Sequence, residues 1–190
     1  MFLPVQPKPK TVFEYARMAV EIPNLITKEM ADDLKAFALD SDKSGFHRRG
    51  SNTPSVCAAS FYTCLVFQYD HPIYEILDHA WKQYFEIRPS NITFIEPYEI
   101  KSYVINDGFG NHNDINISED DLLERKINLI VQLCEEDEYE GGDLLVGPFK
   151  ASRKFGTGIF FPSDRVHSVT PVTNGTRFSL IGHAWGPNVQ

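Results

Sequence analysis

Two potential metal ligands lie close together in the segment Gly110-Asn111-His112-Asn113-Asp114. In an extended strand, His112 and Asp114 are two positions apart, so their side chains point to the same side. A third ligand must come from elsewhere in the fold, and the segment 158–169 offers His167 near the start of a strand-like run. Two imidazoles and one carboxylate form the facial triad that binds non-haem Fe(II) and leaves positions open for substrate and oxygen. The pattern therefore predicts an iron site.

A potential anion-binding residue, Arg177, follows ten residues after His167. A guanidinium that faced the same cavity could bind a carboxylate through two parallel hydrogen bonds. Because a buried arginine without a partner is costly, a small dicarboxylate is its natural ligand.

Three segments in this order resemble the Fe(II)- and 2-oxoglutarate-dependent dioxygenases, specifically the prolyl 4-hydroxylase-like branch with the bacterial and phage PKHD-type hydroxylases. They are His112-Asn113-Asp114, Tyr139-Glu140-Gly141-Gly142-Asp143-Leu144 and the segment from His167 to Arg177, and the resemblance covers roughly residues 90 to 186. It implies that His112, Asp114 and His167 bind the iron. It also implies that Arg177 pairs with the distal carboxylate of 2-oxoglutarate. Animal-type prolyl hydroxylases have lysine at that position, whereas the PKHD-like branch has arginine.

The resemblance also implies a reaction. Fe(II), 2-oxoglutarate and O2 would be the cofactors, with ascorbate as the reductant. We expect hydroxylation of an unactivated C–H bond on a prolyl residue of a peptide or protein, with release of succinate and CO2. Asp114 favours hydroxylation, because related halogenases have a small residue at that position to admit halide.

Four further side chains could line the site. Tyr103 lies on the strand before the His112 segment, and its phenol could donate a hydrogen bond to a 2-oxoglutarate carboxylate; the alternative is a core tyrosine with a satisfied hydroxyl. Lys101 would share its face. Counting by twos from Arg177 places His183 and Trp185 on the Arg177 face as candidate substrate contacts, with packing as the alternative interpretation. The histidines His47, His71 and His79 are interpreted as surface or capping residues.

Two helices and a series of short strands must position these residues. Thr27 predicts an N-cap for a helix that ends near Leu39, and Asp70 with Pro72 predicts a second helix that ends before Pro89. The polar segment 40–55 is typical of a loop, which could form a lid over the site. Strands are predicted at about 12–22, 92–95, 99–105, 126–134, 143–146 and 159–161, with a turn at 107–110 that leads to His112.

The spacing between His167 and Arg177 constrains their connection. If Asn174-Gly175 were the two-residue loop of a hairpin, Val172 would share the face of Arg177. His167 would then face away from Arg177. For both residues to enter one cavity, the connection must contain a bulge or cross between sheets.

The pattern as a whole predicts an α+β fold, a double-stranded β-helix (jelly roll) with N-terminal packing helices. With 190 residues, 42% of them hydrophobic, the chain is long enough for one well-filled domain and short for two. We therefore expect a single domain over residues 1–190, with helical support over about 1–90 and a jelly-roll core over about 91–190.

Charge and cysteine content limit the partners and the compartment. The net charge of −8 argues against nucleic-acid binding, and the local basic patch at His47-Arg48-Arg49 is interpreted as a solvated loop. Three cysteines without a C-x-x-C pair, namely Cys57, Cys64 and Cys134, favour a reducing compartment. No apolar stretch reaches the roughly 18 residues of a membrane span. We expect no membrane partner and a location in the cytoplasm of a bacterium or a phage-infected host.

Two alternative functions keep the same fold. The substrate could be a free amino acid or another small molecule, which an extended peptide groove would oppose. The chain could also be a jelly-roll binding module without catalysis, although a complete set of buried polar ligands argues against that. Nucleic-acid demethylation fits less well, because only one arginine follows the distal histidine.

Overall fold

The computed structural model describes residues 19–40, 47–50, 59–65 and 71–188. These ranges contain two helices, α1 (Lys28–Leu39) and α2 (Ile73–Ile87), and fourteen strands. The strands are β1 (Val20–Ile22), β2 (His47–Gly50), β3 (Ala59–Leu65), β4 (Phe94–Ile95), β5 (Glu99–Tyr103), β6 (Gly108–His112), β7 (Leu123–Gln132), β8 (Tyr139–Gly141), β9 (Leu144–Val146), β10 (Phe149–Lys150), β11 (Gly158–Pro162), β12 (His167–Val169), β13 (Val172–Gly175) and β14 (Arg177–Pro187). Neither helix in the described part of the chain is long and apolar enough to cross a membrane.

Both helices begin where local hydrogen-bond acceptors are available. The Thr27 hydroxyl accepts a hydrogen bond from the Met30 N–H (3.3 Å), which confirms Thr27 as the N-cap of α1. At α2, Pro72 occupies the N-cap position and the His71 ring accepts from the Ile73 N–H (3.2 Å). His71 is therefore a capping residue, as predicted, whereas Asp70 lies outside the described residues.

Hydrogen-bonded strands form a long path that folds over on itself. Its order is β1-β11-β7-β14-β5-β3-β6-β12-β9-β10, with β2 added to β3 and β4 added to β14. Side chains of β5, β7 and β14 line the same cavity as side chains of β6 and β12. The path therefore forms two facing layers, as expected for the predicted jelly roll.

Two apolar clusters fill this architecture. The first joins the buried faces of α1 and α2 to the outer face of one layer, and the second lies between the layers. Strand β7 contributes to both, because Leu129 and Val131 belong to the first cluster and Ile130 to the second. The strand predicted at 126–134 rests on this alternation in the sequence, and the structure confirms it. The largest buried side chain on α2, Trp81, was not predicted; its indole N–H donates to the Tyr98 hydroxyl (3.1 Å).

The connection before Arg177 crosses between sheets, as the spacing required. Strand β13 pairs with β8 in a separate two-stranded sheet, whereas β14 pairs with β5 and β7 in the large sheet. Asn174-Gly175 is therefore not the loop of a simple hairpin. This crossing allows His167 and Arg177 to line one cavity.

Two predicted boundaries are wrong. His47–Gly50 forms strand β2 against β3 and not a loop, because an edge strand has one backbone partner and does not require apolar side chains. Gly108–Gly110 belongs to β6 and not to a turn, and the chain turns earlier, at Asn106 (φ 71°). A side chain at Gly108 would lie 2.9 Å from the Val169 carbonyl, so glycine permits the close approach of β6 and β12. Residues 41–46 and 51–55 lie outside the described residues, so the lid stays a prediction.

Candidate metal centre

His112, Asp114 and His167 come together at the edge of the two facing layers. His112 ends β6, His167 begins β12, and the two histidines are register partners. One ligand atom from each of the three residues lies within 4.8 Å of the other two. They form the one such group of metal-binding side chains in the described ranges.

Backbone carbonyls fix the orientation of both imidazoles. His112 Nδ1 lies 2.8 Å from the Gly110 carbonyl, and His167 Nδ1 lies 3.0 Å from the Arg165 carbonyl. Because a carbonyl only accepts, each Nδ1 carries the proton and each Nε2 keeps its lone pair. The Nε2 atoms lie 3.7 Å and 3.2 Å from the Asp114 carboxylate oxygens. This is the tautomer that metal-binding histidines use.

Local charges favour the protonation states that metal binding requires. Burial opposes ionisation of Asp114, but contact with the His167 ring, and further away the positive charge of Lys101, hold the pKa of the carboxyl well below its usual range. Burial, and next the neighbouring His167, lower the pKa of His112. At neutral pH the carboxylate is ionised and the His112 imidazole is neutral, so both can donate electron pairs to a cation.

Arg177 is a buried cation in the same cavity, 1% exposed at the start of β14. Its guanidinium donates to the Ser179 hydroxyl (3.3 Å) and to Gln132 Oε1 (3.2 Å). Its Nε has no hydrogen-bond partner among the described residues. These neutral partners leave its charge uncompensated, so the cavity suits an anionic ligand.

Tyr103 and Lys101 line the cavity beside Arg177, on the shared face that the alternation of β5 predicts. Tyr103 is the register partner of Arg177, and Lys101 is the register partner of Ser179. Burial raises the pKa of the Tyr103 hydroxyl, which therefore remains a neutral donor. The Lys101 ammonium lies 3.3 Å from Glu99. The cavity has an empty volume of about 360 Å³, including its opening to solvent.

Comparison with known proteins agrees with this geometry. A family model described as the 2OG-Fe(II) oxygenase superfamily matches residues 98–185, which include all three ligands and Arg177. The chain belongs to this superfamily.

Its relatives include PKHD-type hydroxylases. One from Acinetobacter baumannii is 27% identical over 175 residues, which span 85% of this chain and 75% of that protein. One from Alteromonas mediterranea is 37% identical over 65 residues, which span 32% of this chain and 29% of that protein.

Solved structures share the fold of this oxygenase. The viral collagen prolyl hydroxylase of Paramecium bursaria Chlorella virus-1, in its 2-oxoglutarate complex, matches with a TM-score of 0.70 at 16% identity, covering 90% of this chain and 98% of that chain. A Trichoplax adhaerens prolyl hydroxylase, in complex with a peptide fragment of the hypoxia-inducible factor oxygen degradation domain, matches with a TM-score of 0.66 at 15% identity, covering 90% and 84%.

Fe(II) and 2-oxoglutarate are the cofactors that this membership implies, and the donor set fits them. Two neutral Nε2 atoms and one ionised carboxylate provide the ligand types of a non-haem Fe(II) site. The buried guanidinium of Arg177 provides the charge that a dicarboxylate needs.

His183 and Trp185 do not line the cavity of this oxygenase among its described residues. His183 lies behind the metal centre, where its Nδ1 is 2.9 Å from Asn128 Oδ1. Trp185 follows a register shift in β14, stacks on Phe94 with ring centroids 5.7 Å apart and donates to Glu96. Both have packing partners of their own, so their substrate roles stay predictions.

Sequence reasoning missed three residues around the oxygenase centre. Asn128 contacts Asp114, Gln132 contacts Arg177, and the Phe109 ring stacks on His112 with centroids 3.6 Å apart. The alternation in the sequence of β7 puts Asn128 and Gln132 on one face with Ile130, and the structure turns that face toward the cavity. Polar side chains on the buried face of a core strand were the signal that could have identified both.

Proposed function

We propose that this oxygenase hydroxylates a C–H bond of a prolyl residue in a peptide or protein, with release of succinate and CO2. The observation that carries the proposal is that the metal ligands and Arg177 line one cavity but lie at different positions along the length of β14. Arg177 begins that strand, whereas Asn128, which contacts Asp114, pairs with His183 further along it. A ligand with an acidic group at each end fits between a cation and a metal in this arrangement.

The residues of the chain have distinct tasks in this reaction. Fe(II), when bound with 2-oxoglutarate, supplies the oxygen activation that hydroxylation of an unactivated C–H bond requires. Arg177 binds the distal carboxylate of 2-oxoglutarate, and the Tyr103 hydroxyl donates a hydrogen bond to the same ligand. Ile130, Val169 and Ile181 line the cavity with apolar groups that exclude water.

The prolyl substrate is supported by what related proteins act on. The viral neighbour is a collagen prolyl hydroxylase, and the Trichoplax neighbour was solved with a peptide fragment. Both neighbours with this fold are thus described together with a polypeptide. A peptide or protein with an accessible proline is therefore the substrate class to test first.

A second candidate is a free amino acid or another small molecule. Lys101 places a second cation on the cavity wall, beside Ser179 and close to Arg177 in the sheet. Such a cation could bind the carboxylate of a free amino acid, which an internal prolyl residue lacks. Replacement of Lys101 by methionine separates the two candidates through the KM for the substrate, which should rise far more for a free amino acid than for a peptide. Loss of a contact to 2-oxoglutarate would instead raise the KM for that cosubstrate with either substrate.

Succinate release tests the proposal directly. The assay contains Fe(II), ascorbate and 2-oxoglutarate, with a panel of proline-rich peptides, free proline or no substrate, and with His167→Ala as the inactive control. Turnover that is stimulated by a peptide and lost in the variant supports the prolyl assignment. Stimulation by free proline alone favours the second candidate.

A separate measurement tests for a binding module without catalysis. Fe(II) and 2-oxoglutarate added under anaerobic conditions should give a weak visible charge-transfer band with the wild-type protein and none with His167→Ala. Absence of both the band and turnover from the wild type would overturn the oxygenase assignment.

A further inference from the structure

We infer that Asn128 is a positioning residue, which holds the Asp114 carboxylate in the orientation that binds the metal. This inference rests on the proposed metal centre and extends it to residues that do not contact the ion. Asn128 lies on β7, is fully buried and donates from Nδ2 to Asp114 Oδ2 at 2.8 Å.

The orientation of the Asn128 amide is determined by its neighbours. An ionised carboxylate only accepts hydrogen bonds, so Nδ2 must face Asp114. Oδ1 then faces the Ser163 hydroxyl at 2.8 Å and His183 Nδ1 at 2.9 Å, and both of these must donate. A flipped amide would place its oxygen against the carboxylate and its N–H groups against two donors. The network therefore has one consistent arrangement.

This network links three parts of the fold to one ligand. Ser163, which is fully buried, follows β11, and its carbonyl accepts from the Asp114 N–H (2.9 Å). His183 lies on β14 as the register partner of Asn128. Asp114 follows the end of β6 and precedes an irregular segment, so it has no strand pairing of its own to hold it. The backbone contact to Ser163 and the side-chain contact to Asn128 together fix where the carboxylate points.

Hydrogen bonds around a metal ligand affect metal affinity, because they set its orientation before the ion binds. One oxygen of Asp114 is occupied by the Asn128 amide, and the carboxylate can then rotate less. Loss of this contact leaves Asp114 ionised and in place along the chain but free to turn. Metal affinity should therefore fall, whereas the Arg177 end of the cavity should be unaffected.

Titration with Mn(II), followed through the EPR signal of the free ion and without 2-oxoglutarate, tests this independently of activity. Asn128→Leu should raise the Kd for Mn(II) about 10- to 100-fold, the range typical for lost partners of metal ligands. Gln132→Leu is the matched control, since Gln132 is also a buried polar residue of β7 but contacts Arg177. It should leave the Kd for Mn(II) unchanged and weaken 2-oxoglutarate binding.

A smaller change guards against misfolding of the leucine variant. Ser163→Ala removes one hydrogen-bond donor to Asn128 Oδ1 and changes the side-chain volume little. It should raise the Kd for Mn(II) about 3- to 10-fold, as expected for one hydrogen bond. Unchanged Mn(II) affinity in folded Asn128→Leu, or in Ser163→Ala, would overturn the role of Asn128. Equal weakening by Asn128→Leu and Gln132→Leu would overturn it as well, because the effect would then be general. If the wild-type protein did not bind Mn(II), the proposed metal centre itself would be wrong.

Discussion

Arg177 has neutral hydrogen-bond partners at two of its nitrogens and none at Nε among the described residues, and its guanidinium lies 5.4 Å from the centre of the Tyr103 ring, so the described residues offer a carboxylate ligand little competition. Replacement by glutamine removes the cation and should raise the KM for 2-oxoglutarate about 10- to 150-fold, because each hydrogen bond to a charged group contributes about 1.5–3 kcal/mol. Arg177→Lys keeps the charge without the planar fork and should give an intermediate value. Steady-state succinate release measures both. An unchanged KM in a folded glutamine variant would exclude Arg177 as the carboxylate partner.

Tyr103 either only packs in the core or also donates a hydrogen bond to 2-oxoglutarate. Removal of its hydroxyl distinguishes these two roles. Tyr103→Phe keeps the ring in the apolar cluster between the layers and removes only the donor. If the hydroxyl binds 2-oxoglutarate, the KM for this cosubstrate should rise about 3- to 10-fold, as expected for one hydrogen bond. If Tyr103 only packs, the KM stays unchanged. Kinetics with Lys101→Met as a parallel variant show which of the two neighbours donates to the ligand.

At the scale of an element, the turn between β8 and β9 positions Arg177. Gly142 has φ +61°, and a side-chain carbon there would lie 3.0 Å from Arg177 Cδ. Gly156 is a matched control, since it has φ +69° but would meet the Ile26 carbonyl at 3.1 Å. Alanine at either position should lower the free energy of unfolding by about 1–2 kcal/mol, the cost of a left-handed residue.

Only Gly142→Ala should also raise the KM for 2-oxoglutarate, because only that methyl group meets Arg177. Urea denaturation and succinate kinetics on the two variants make the comparison. Equal KM values would mean that the turn does not position the guanidinium.

The spacing of apolar residues in the sequence predicted best those helices and strands that pack against apolar neighbours. The alternation of β7 and the capping residue Thr27 predicted one strand and one helix correctly, because burial and capping depend on nearby residues. Strand β2 was missed because a loop was predicted from its polar composition, whereas its pairing with β3 runs through the backbone, which any residue type can provide. The three ligands were predicted from spacing and resemblance. The Asn128 network was not, since a hydrogen bond between residues 14 positions apart depends on the folded register.

At the scale of the whole molecule, strand pairing joins the two halves of the chain. Strand β3, from the first half, pairs with both β5 and β6, which carry Lys101, Tyr103 and His112. Strands as well as helices therefore precede residue 90, and these contacts support the proposal of a single domain. Because β5 and β6 both pair with β3, a substitution that shifts β3 should move the side chains of both strands that line the cavity.

Buried histidines should make the stability of the metal-free protein depend on pH. Burial, and next the charge of Arg125, lower the pKa of His183 from its ordinary value of 6.5 to about 3. Burial also lowers the pKa of His112. Between the folded-state pKa of His183 and 6.5, the unfolded chain binds more protons than the folded chain, so the free energy of unfolding falls as the pH falls. The lowered pKa of His112 acts in the same direction. Asp114 contributes only at lower pH, because its stabilisation is lost as the pH falls below its ordinary pKa of 3.8.

Urea denaturation with a chelator present, at pH 7.5 and pH 5, measures the effect. The contribution of His183 to this difference should be about 2 kcal/mol, since each pH unit below 6.5 contributes about 1.4 kcal/mol per proton. His183→Gln removes the titrating group, so the variant should be less stable at pH 7.5 but lose less stability on acidification. Equal slopes in the two proteins would show that His183 titrates normally in the folded state. Saturating Mn(II) should raise stability most at pH 7.5, because a metal competes with protons for the histidine ligands.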